Sequence, residues 1–307
     1  MLLYDRVIEH AVRMKRATPE KFREGNAELL QSLRQAAVYE LTDVVPLVQD
    51  WAAGRNQPIP KRPPHLTVWA EWRTEMRHAG GVARWVLGVC IAELSPAIDS
   101  EVALSPNLHG AARLAYLDVT RDRYMSMPFM YLENGVGELM SADGYLLWSM
   151  KPDGTDVQHY RVGSRQCYFG LPPVDFTGLG PEYFQWAVPW PPFMAFALLH
   201  CKNVVTETVE PDAATQRRVI KAGNPPRASY RVLKIEVPQT AAGSKPSRLT
   251  DGDDGPKVRF HLCRGHFKSL QADRFKSKGW HWWPAHWRGS RALGRVEKRY
   301  ELTGGGK

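Results

Sequence analysis

Three turn signals recur at short intervals in the middle of the chain, and they constrain its fold more than any other feature. The signals are Glu133-Asn134-Gly135, Ala142-Asp143-Gly144 and Pro152-Asp153-Gly154. Asn-Gly and Asp-Gly pairs favour the tight turns that join antiparallel strands. The segments around them, residues 129–132, 137–140 and 145–151, are short and rich in apolar residues. This spacing predicts an antiparallel meander.

Helical spacing of apolar residues marks the amino-terminal part of the chain. It runs over residues 4–16 and again over residues 27–53, where Pro46 is expected to break the second helix. Thr18 followed by Pro19 has the form of an N-cap and a first helical position. The Pro-rich residues 56–64 then predict a connector without regular structure.

Strand-like alternation continues on both sides of the meander. Alternation or β-type composition predicts strands over residues 66–72, 115–119, 204–209, 230–237, 258–270, 279–288 and 294–302. The last three, with residues 230–237, are expected to form a small sheet. Residues 80–98 and 193–199 fit either a buried strand or a helix, because periodicity does not separate the two in short apolar runs. Residues 212–227 are expected to be a polar, basic insertion.

Together these patterns predict an α+β protein, with N-terminal helices, an antiparallel β-rich body and a small C-terminal β module. The predicted divisions are a helical segment over residues 1–64 and a mixed, mainly antiparallel β body over residues 65–237. A flexible loop over residues 238–256 and a basic module rich in Trp, His and Arg over residues 257–307 follow.

The composition indicates a cytoplasmic protein. The first residues interleave charges with apolar side chains and lack the apolar core of a secretory signal. The most apolar run, residues 193–199, is far shorter than the roughly 20 residues that cross a bilayer. The four cysteines, Cys90, Cys167, Cys201 and Cys263, include no CxxC pair and are expected to be buried thiols. We therefore expect no membrane partner.

Positive charge is concentrated near the carboxyl end. Residues 257–300 contain twelve Lys and Arg but two acids, a formal charge of +10, so the rest of the chain sums to −1 of the total of +9. Neutralisation of phosphates supplies most of the non-specific affinity of proteins for nucleic acid. The asymmetry therefore predicts a polyanion-binding surface in this segment.

The same segment carries four of the eleven tryptophans. Indole faces stack on unpaired bases, so basic residues mixed with tryptophans favour single-stranded nucleic acid or RNA over a duplex groove. The residues predicted to bind it are Arg259, Lys268, Lys276, Lys278, Trp280, Trp282, Trp283, Trp287, Arg288 and Arg291. The alternative is a Trp-filled core with a solvated basic rim.

A metal site is the first chemical alternative for this segment. His261, Cys263 and His266 lie within six residues, and strand alternation would place His261 and Cys263 on one face. Zinc would need a fourth ligand, for which the candidates are His281, His286 and Cys201. No pair has the spacing of a zinc finger or ribbon, so we predict no metal and no other cofactor.

Metal-independent RNA cleavage is the second alternative, and it needs a general base, a general acid and a cation near the phosphate. His261 and His266 could transfer the protons, and Arg264 or Arg288 could supply the cation. Tyr300 could orient the substrate through its hydroxyl. These histidines could equally be hydrogen-bonded members of a Trp-rich core. The sequence contains no Walker motif, nucleophile elbow or HExxH motif.

Several short segments along most of the chain form a recognisable pattern. The C-terminal ones are HLCRGHFK (residues 261–268), WW (282–283), RGS (288–290) and GxVxKxY (294–300). The upstream ones are PPHLTVWAEW (63–72) and FALLHCKN (196–203). In this order they resemble a family of uncharacterised proteins from phages, prophages and bacterial mobile elements. The resemblance implies a mobile-element origin and brings no established activity.

We predict a nucleic-acid-binding accessory protein of a phage or mobile element, with RNA or a single strand as its partner. Two alternatives stay open. One is a metal-independent ribonuclease or toxin-like enzyme. The other is a phage assembly component or an inhibitor of a host protein, in which the basic segment would contact an acidic protein.

Overall fold

The computed structural model describes residues 1–14, 20–52, 59–78, 81–94, 120–133, 139–142, 145–155, 157–162, 173–174, 190–236, 259–263, 265–273, 275, 277–284, 286–288 and 290–295. These residues form helices and a large, mainly antiparallel sheet, with smaller strand groups at the C-terminal end. The predicted α+β class is therefore confirmed.

The helices are α1 (Leu3–Met14), α2 (Glu20–Gln35), α3 (Val45–Ala52), α4 (Trp190–Leu198) and α5 (Ala213–Lys221). The strands of the large sheet are β1 (Ala37–Glu40), β2 (Thr67–His78), β3 (Gly81–Glu93), β4 (Asp122–Leu132), β5 (Leu139–Ala142), β6 (Tyr145–Met150), β7 (Gln158–Val162), β8 (Pro173–Val174), β9 (Val204–Val209) and β10 (Tyr230–Ile235). The C-terminal strands are β11 (Arg259–Cys263), β12 (His266–Leu270), β13 (Gly279–Trp283), β14 (His286–Arg288) and β15 (Ser290–Arg295).

The large sheet has the strand order β7-β6-β4-β3-β2-β1-β10-β9, and β5 and β8 extend it beside β4. The predicted antiparallel strands of the meander are confirmed, but their order is not a simple meander. Both β5 and β6 pair with β4, which has eleven residues and is long enough to hold them in tandem. Pro128 lies where β4 changes partner, and this position suits a residue that has no N–H to donate.

The helix predicted over residues 27–53 is wrong at its centre. Helix α2 ends at Gln35, and Ala37–Glu40 forms β1, which is parallel to both β2 and β10. Val38 and Tyr39 are both buried and belong to the cores on opposite faces of the sheet. Four residues are too few for local periodicity to reveal a strand whose partners are distant in sequence.

The undecided segment around residues 80–98 is strand β3. Its Val86 and Cys90 pack on the side of α1 and α2, whereas Leu87, Val89 and Ile91 pack on the side of α3 and α4. A strand buried on both faces carries apolar residues at every position, so its sequence has no polar alternation. Gly88 makes room for a large neighbour, because a Cβ there would lie 2.5 Å from Cζ2 of Trp69.

The second undecided segment is helix α4. Residues Phe193 to Leu198 are 0–1% exposed, so the helix is buried on all sides and shows no amphipathic stripe. Helices α1 and α2 cover the opposite face of the sheet, where Leu3, Val7 and Leu33 are buried. Among the described residues, no helix combines the length and the apolar character that a membrane span requires.

Two of the three predicted C-terminal strands divide into shorter ones, and most of the third, residues 294–302, lies outside the described residues. The strand predicted over residues 258–270 is interrupted between β11 and β12, where a Cβ on Gly265 would lie 2.7 Å from Cζ2 of Trp282. Pro284 follows β13 and precedes β14, so residues 279–288 are also two strands. Strand β10 belongs to the large sheet, because it pairs with β1 and β9. The predicted small sheet is therefore wrong, because the C-terminal strands also form two separate groups, β14-β11-β15 and β12-β13.

The remaining predictions concern the insertion, the cysteines and segments that the structure does not describe. Residues 212–227, expected to be an insertion, contain α5, with Asp212 accepting a hydrogen bond from Thr215 N at its N-cap. Cys90 and Cys201 are buried, as predicted, and burial raises the pKa of each thiol to about 12. Cys263, also predicted to be buried, is only half-buried. The strand predicted over residues 115–119, the loop over residues 238–256 and Cys167 lie outside the described residues.

Candidate functional sites

The antiparallel pair β12–β13 has two different faces. Phe267 is paired in register with Trp282, and their rings pack edge to face, 4.8 Å apart, in the core beneath the large sheet. Phe267 is 3% exposed and Trp282 is 1% exposed. Trp280 lies on the same face and packs, half-buried, against that core. This inner face is structural.

A side-chain amide and a short backbone contact hold this pair to the body. The buried Asn203 accepts a hydrogen bond from Trp282 N (2.9 Å) and donates to Trp282 O (2.8 Å) through the same amide. It also donates to Glu236 O at the end of β10. Next to it, Lys202 N donates to Trp280 O. The segment FALLHCKN, quoted above, therefore ends in the residue that docks β13.

The outer face of β12–β13 presents a cation beside an aromatic ring. Lys268 is exposed, and its Nζ lies 4.9 Å from the centre of the half-buried Trp283 ring. His266 is paired in register with Trp283 and is also half-buried. We call Lys268, Trp283 and His266 the outer-face group. Lys278, nearby in sequence, forms an ion pair with Asp273, with Nζ 2.5 Å from Oδ1.

The structure distributes the predicted nucleic-acid-binding residues among several positions. Trp282 is buried in the core and Trp280 packs against it. Their indoles are therefore less accessible to a base than that of Trp283, which lies on the outer face. Arg288 is paired with His261, Trp287 with Leu262, and Arg259 with Ser290, along β11 and its neighbours. Arg291 lies in β15, and Lys276 lies outside the described residues.

The predicted catalytic histidines lie on different strand pairs. His261 is on β11, opposite Arg288, whereas His266 is on β12, opposite Trp283. Arg264 and Tyr300 lie outside the described residues. Cys263 is paired with His286, and the buried His281 makes a hydrogen bond through Nε2 to Ser277 O. Within the described parts of the chain, no three His, Cys, Asp or Glu residues are grouped so that they could hold a metal ion.

A second candidate site is a cleft of about 510 Å³ on the side of the sheet that α4 covers. Its lining combines rings, apolar side chains and charges: Arg62, Pro63, Pro64, His65, Leu66, Glu93, Tyr124, Leu199 and His200. This volume is within the range of small-molecule sites, roughly 300–1,000 Å³. We call it the His65–His200 cleft.

Four segments of the chain form this cleft, and a turn after β6 positions the segment that carries Arg62 and His65. Strand β3 ends at Glu93, β4 supplies Tyr124 near its start, and the turn after α4 supplies His200. The segment that carries Arg62 and His65 is held by Lys61 N, which donates to Gly154 O (2.8 Å). The Pro152-Asp153-Gly154 turn predicted from sequence therefore supports one wall of the cleft.

Hydrogen bonds fix several of the lining groups. Arg62 donates through Nε to the hydroxyl of Tyr124 (3.2 Å) and lies 3.4 Å from Asp122. Burial raises the pKa of Tyr124 to about 12, so its phenol keeps its proton and can donate it. His65 Nε2 is 3.3 Å from the hydroxyl of Tyr39.

Both histidines of the cleft favour the neutral form. Loss of hydration lowers the pKa of His200, and the same effect, with the nearby charge of Arg231, lowers the pKa of His65. Since the ordinary value is 6.5, each imidazole is mainly neutral at pH 7 and presents one donor and one acceptor.

No sequence pattern predicted this cleft. His65 and His200 were isolated in sequence, and neither belongs to a motif with diagnostic spacing. The segments over residues 63–72 and 196–203 each contain one of these histidines. The structure brings both segments to the same cleft.

Comparison with known proteins adds no assignment to either site. No protein-family model, no curated protein and no solved structure matches this chain.

Proposed function

We propose that this protein binds single-stranded nucleic acid, with RNA as the preferred ligand, as an accessory factor of a phage or mobile element. The observation that carries the proposal is the outer-face group, in which Lys268 lies 4.9 Å from the Trp283 ring within the +10 segment. A cation and an indole side by side offer one contact to a phosphate and one to a base. The mobile-element origin rests on the resemblance described above.

The rigid attachment of β12–β13 to the body supports this proposal. Its inner face is fixed to the body by Phe267, Trp282 and the amide of Asn203. A rigid support keeps the outer face presented to solvent and lowers the entropic cost of ordering side chains on binding. The proposed contact residues are therefore Lys268 and Trp283, with His266 beside them.

The test is the affinity of the full chain for a fluorescently labelled single-stranded RNA across a salt series. We expect wild-type binding to weaken steeply with salt. Lys268→Ala should lower the salt slope by about 0.7, the value for one phosphate contact on a single strand. Trp283→Ala should cost about 1–3 kcal/mol of binding free energy through the loss of one stacked base.

Lys221→Ala, which removes an exposed lysine on α5, is the matched control and should leave the slope nearly unchanged. Absence of binding at low salt would overturn the proposal, as would a Lys268→Ala slope equal to that of wild type. The same samples, incubated in EDTA and resolved on a gel, separate a binder from a ribonuclease. A binder leaves the RNA intact.

A further inference from the structure

The His65–His200 cleft carries chemistry that the outer-face group does not use. We propose that this cleft binds one nucleotide unit, a planar base with a single phosphate, either as a free mononucleotide or as part of a single strand. The inference rests on the proposed function, because it names a second contact point for the same class of ligand. Four observations support it.

The first observation is the shape and lining of the cleft. Its volume of about 510 Å³ is sufficient for a nucleotide, and its lining includes the flat rings of His65, His200 and Tyr124. Pro63 and Leu199 add apolar surface. Binding sites for small molecules are mostly apolar with a few fixed polar groups, and planar rings favour a planar ligand.

The second observation is a fixed cation. The side chain of Arg62 is 45% exposed, and its hydrogen bond to Tyr124 together with its contact to Asp122 fixes its direction. Guanidinium groups recognise phosphate through paired N–H donors. The protonated hydroxyl of Tyr124 can donate to the same phosphate.

The third observation limits the charge of the ligand. Glu93 lines the cleft and Asp122 pairs with Arg62, so two carboxylates accompany this guanidinium. Each further phosphate on a ligand would add negative charge that these carboxylates repel. A monophosphate held by the Arg62 donors therefore meets less repulsion than a diphosphate or triphosphate.

The fourth observation is the set of groups that can read a base. Glu93 offers a carboxylate acceptor, and His200 offers a donor and an acceptor in its neutral form. His65 adds Nδ1, because its Nε2 is already paired with the hydroxyl of Tyr39. Nucleobases present complementary N–H and ring-nitrogen groups along their edges. A carboxylate in such a site favours bases with adjacent N–H donors.

The experiment is titration of the full chain with each of the four nucleoside 5′-monophosphates, followed by NMR of the imidazole signals. His65→Ala and His200→Ala assign those signals. We expect at least one nucleotide to bind with a Kd of about 1 mM or tighter and to shift both signals. Absence of binding by all four up to about 5 mM would overturn the inference.

Two variants separate the phosphate contact from the base contact. Arg62→Ala should weaken nucleotide binding at least about tenfold, or about 1.4 kcal/mol, and leave binding of the corresponding nucleoside unchanged. Tyr124→Phe, which preserves the buried ring, should weaken it less. Arg84→Ala is the matched control, because Arg84 is an exposed arginine on β3 whose partner is Glu75. Equal effects of Arg62→Ala and Arg84→Ala would contradict the inference.

The two proposals can fail separately. If RNA binding depends on Lys268 and Trp283 and no mononucleotide binds, the outer face is the binding surface and the cleft inference is wrong. If mononucleotides bind in the cleft and no strand binds, the ligand is a free nucleotide and the proposed function is wrong. If Arg62→Ala weakens both ligands, the cleft contacts the strand.

Discussion

At the scale of single residues, Glu71 is unusual among the described residues because its carboxyl is buried. It is a carboxyl on β2 that is 2% exposed, and it accepts hydrogen bonds from Leu3 N (3.1 Å), Tyr4 N (2.9 Å) and Trp69 Nε1 (2.9 Å). The first turn of a helix has backbone N–H groups without partners inside the helix. A side chain distant in sequence therefore satisfies the start of α1 and ties it to the sheet.

Burial raises the pKa of Glu71 to about 7, although its three hydrogen-bond donors oppose the shift and Glu40 adds to it. Because the folded state holds this proton more tightly than the unfolded state, the contribution of the protonated group to stability is complete below pH 4.5. It is lost as the pH rises through 7, and the loss is on the order of 3 kcal/mol.

We therefore expect Glu71→Gln, which cannot ionise, to flatten the pH dependence of the free energy of unfolding between about pH 5 and pH 8. Denaturant titrations at several pH values measure this. Glu75→Gln, on the exposed part of the same strand, should keep the wild-type dependence. An unchanged pH slope in Glu71→Gln would show that another group is responsible.

At the scale of elements, the turn after β6 supports the wall of the cleft. Gly154 has a φ of +76°, and a Cβ there would lie 3.1 Å from Arg62 N. Asp153 accepts hydrogen bonds from the backbone and the hydroxyl of Thr155, which closes the turn. Glycine is therefore favoured at position 154 for two reasons: the positive φ, and the close approach of the Arg62 backbone.

Gly223 shares the left-handed backbone of Gly154 but has no close neighbour, so the two glycines together distinguish the cost of conformation from the cost of a steric clash. It has a φ of +74° and nothing within 4 Å of the place where a Cβ would be. Left-handed backbone costs an ordinary residue about 1–2 kcal/mol, so Gly223→Ala should lose about that amount of stability. Gly154→Ala should lose more, because the Arg62 segment must also move.

Thermal unfolding of the two variants measures the difference, and titration with a nucleoside monophosphate measures its effect on the cleft. We expect Gly154→Ala to weaken that binding and Gly223→Ala to leave it unchanged. Equal stabilities for the two variants would mean that the contact with Arg62 is easily relaxed.

At the scale of the whole molecule, the strand pair β12–β13 of the basic C-terminal segment packs into the main core. Phe267 and Trp282 belong to the same buried cluster as Phe193 and Phe196 of α4. Phe267→Ala and Trp282→Ala should therefore each lower the global free energy of unfolding by about 3–5 kcal/mol, the usual cost of emptying a buried aromatic site. Far-UV and near-UV signals should show a single transition.

Trp283→Ala is the control within the same strand. Its ring is half-buried on the outer face and contacts Lys268, so its loss should cost about 1 kcal/mol of stability. If Trp282→Ala were as mild as Trp283→Ala, the strand pair β12–β13 would contribute little to the core.

The sequence by itself determined the features that depend on neighbouring residues. The α+β class, α1, the Pro-Asp-Gly turn and the alternating strands β9 and β10 follow from local spacing, because each is specified by side chains a few positions apart. The concentration of charge in residues 257–300 is also a property of sequence alone. The proposal that Trp283 stacks on a base depends on this concentration of charge.

Only the tertiary structure decided the rest, because the partners are distant in sequence. Strand β1 exists through parallel pairing with β2 and β10, and its four residues contain no such information. Trp282 and Trp283 are adjacent, yet docking through Asn203 places one in the core and the other at the surface. His65 and His200 meet in one cleft through the same long-range packing.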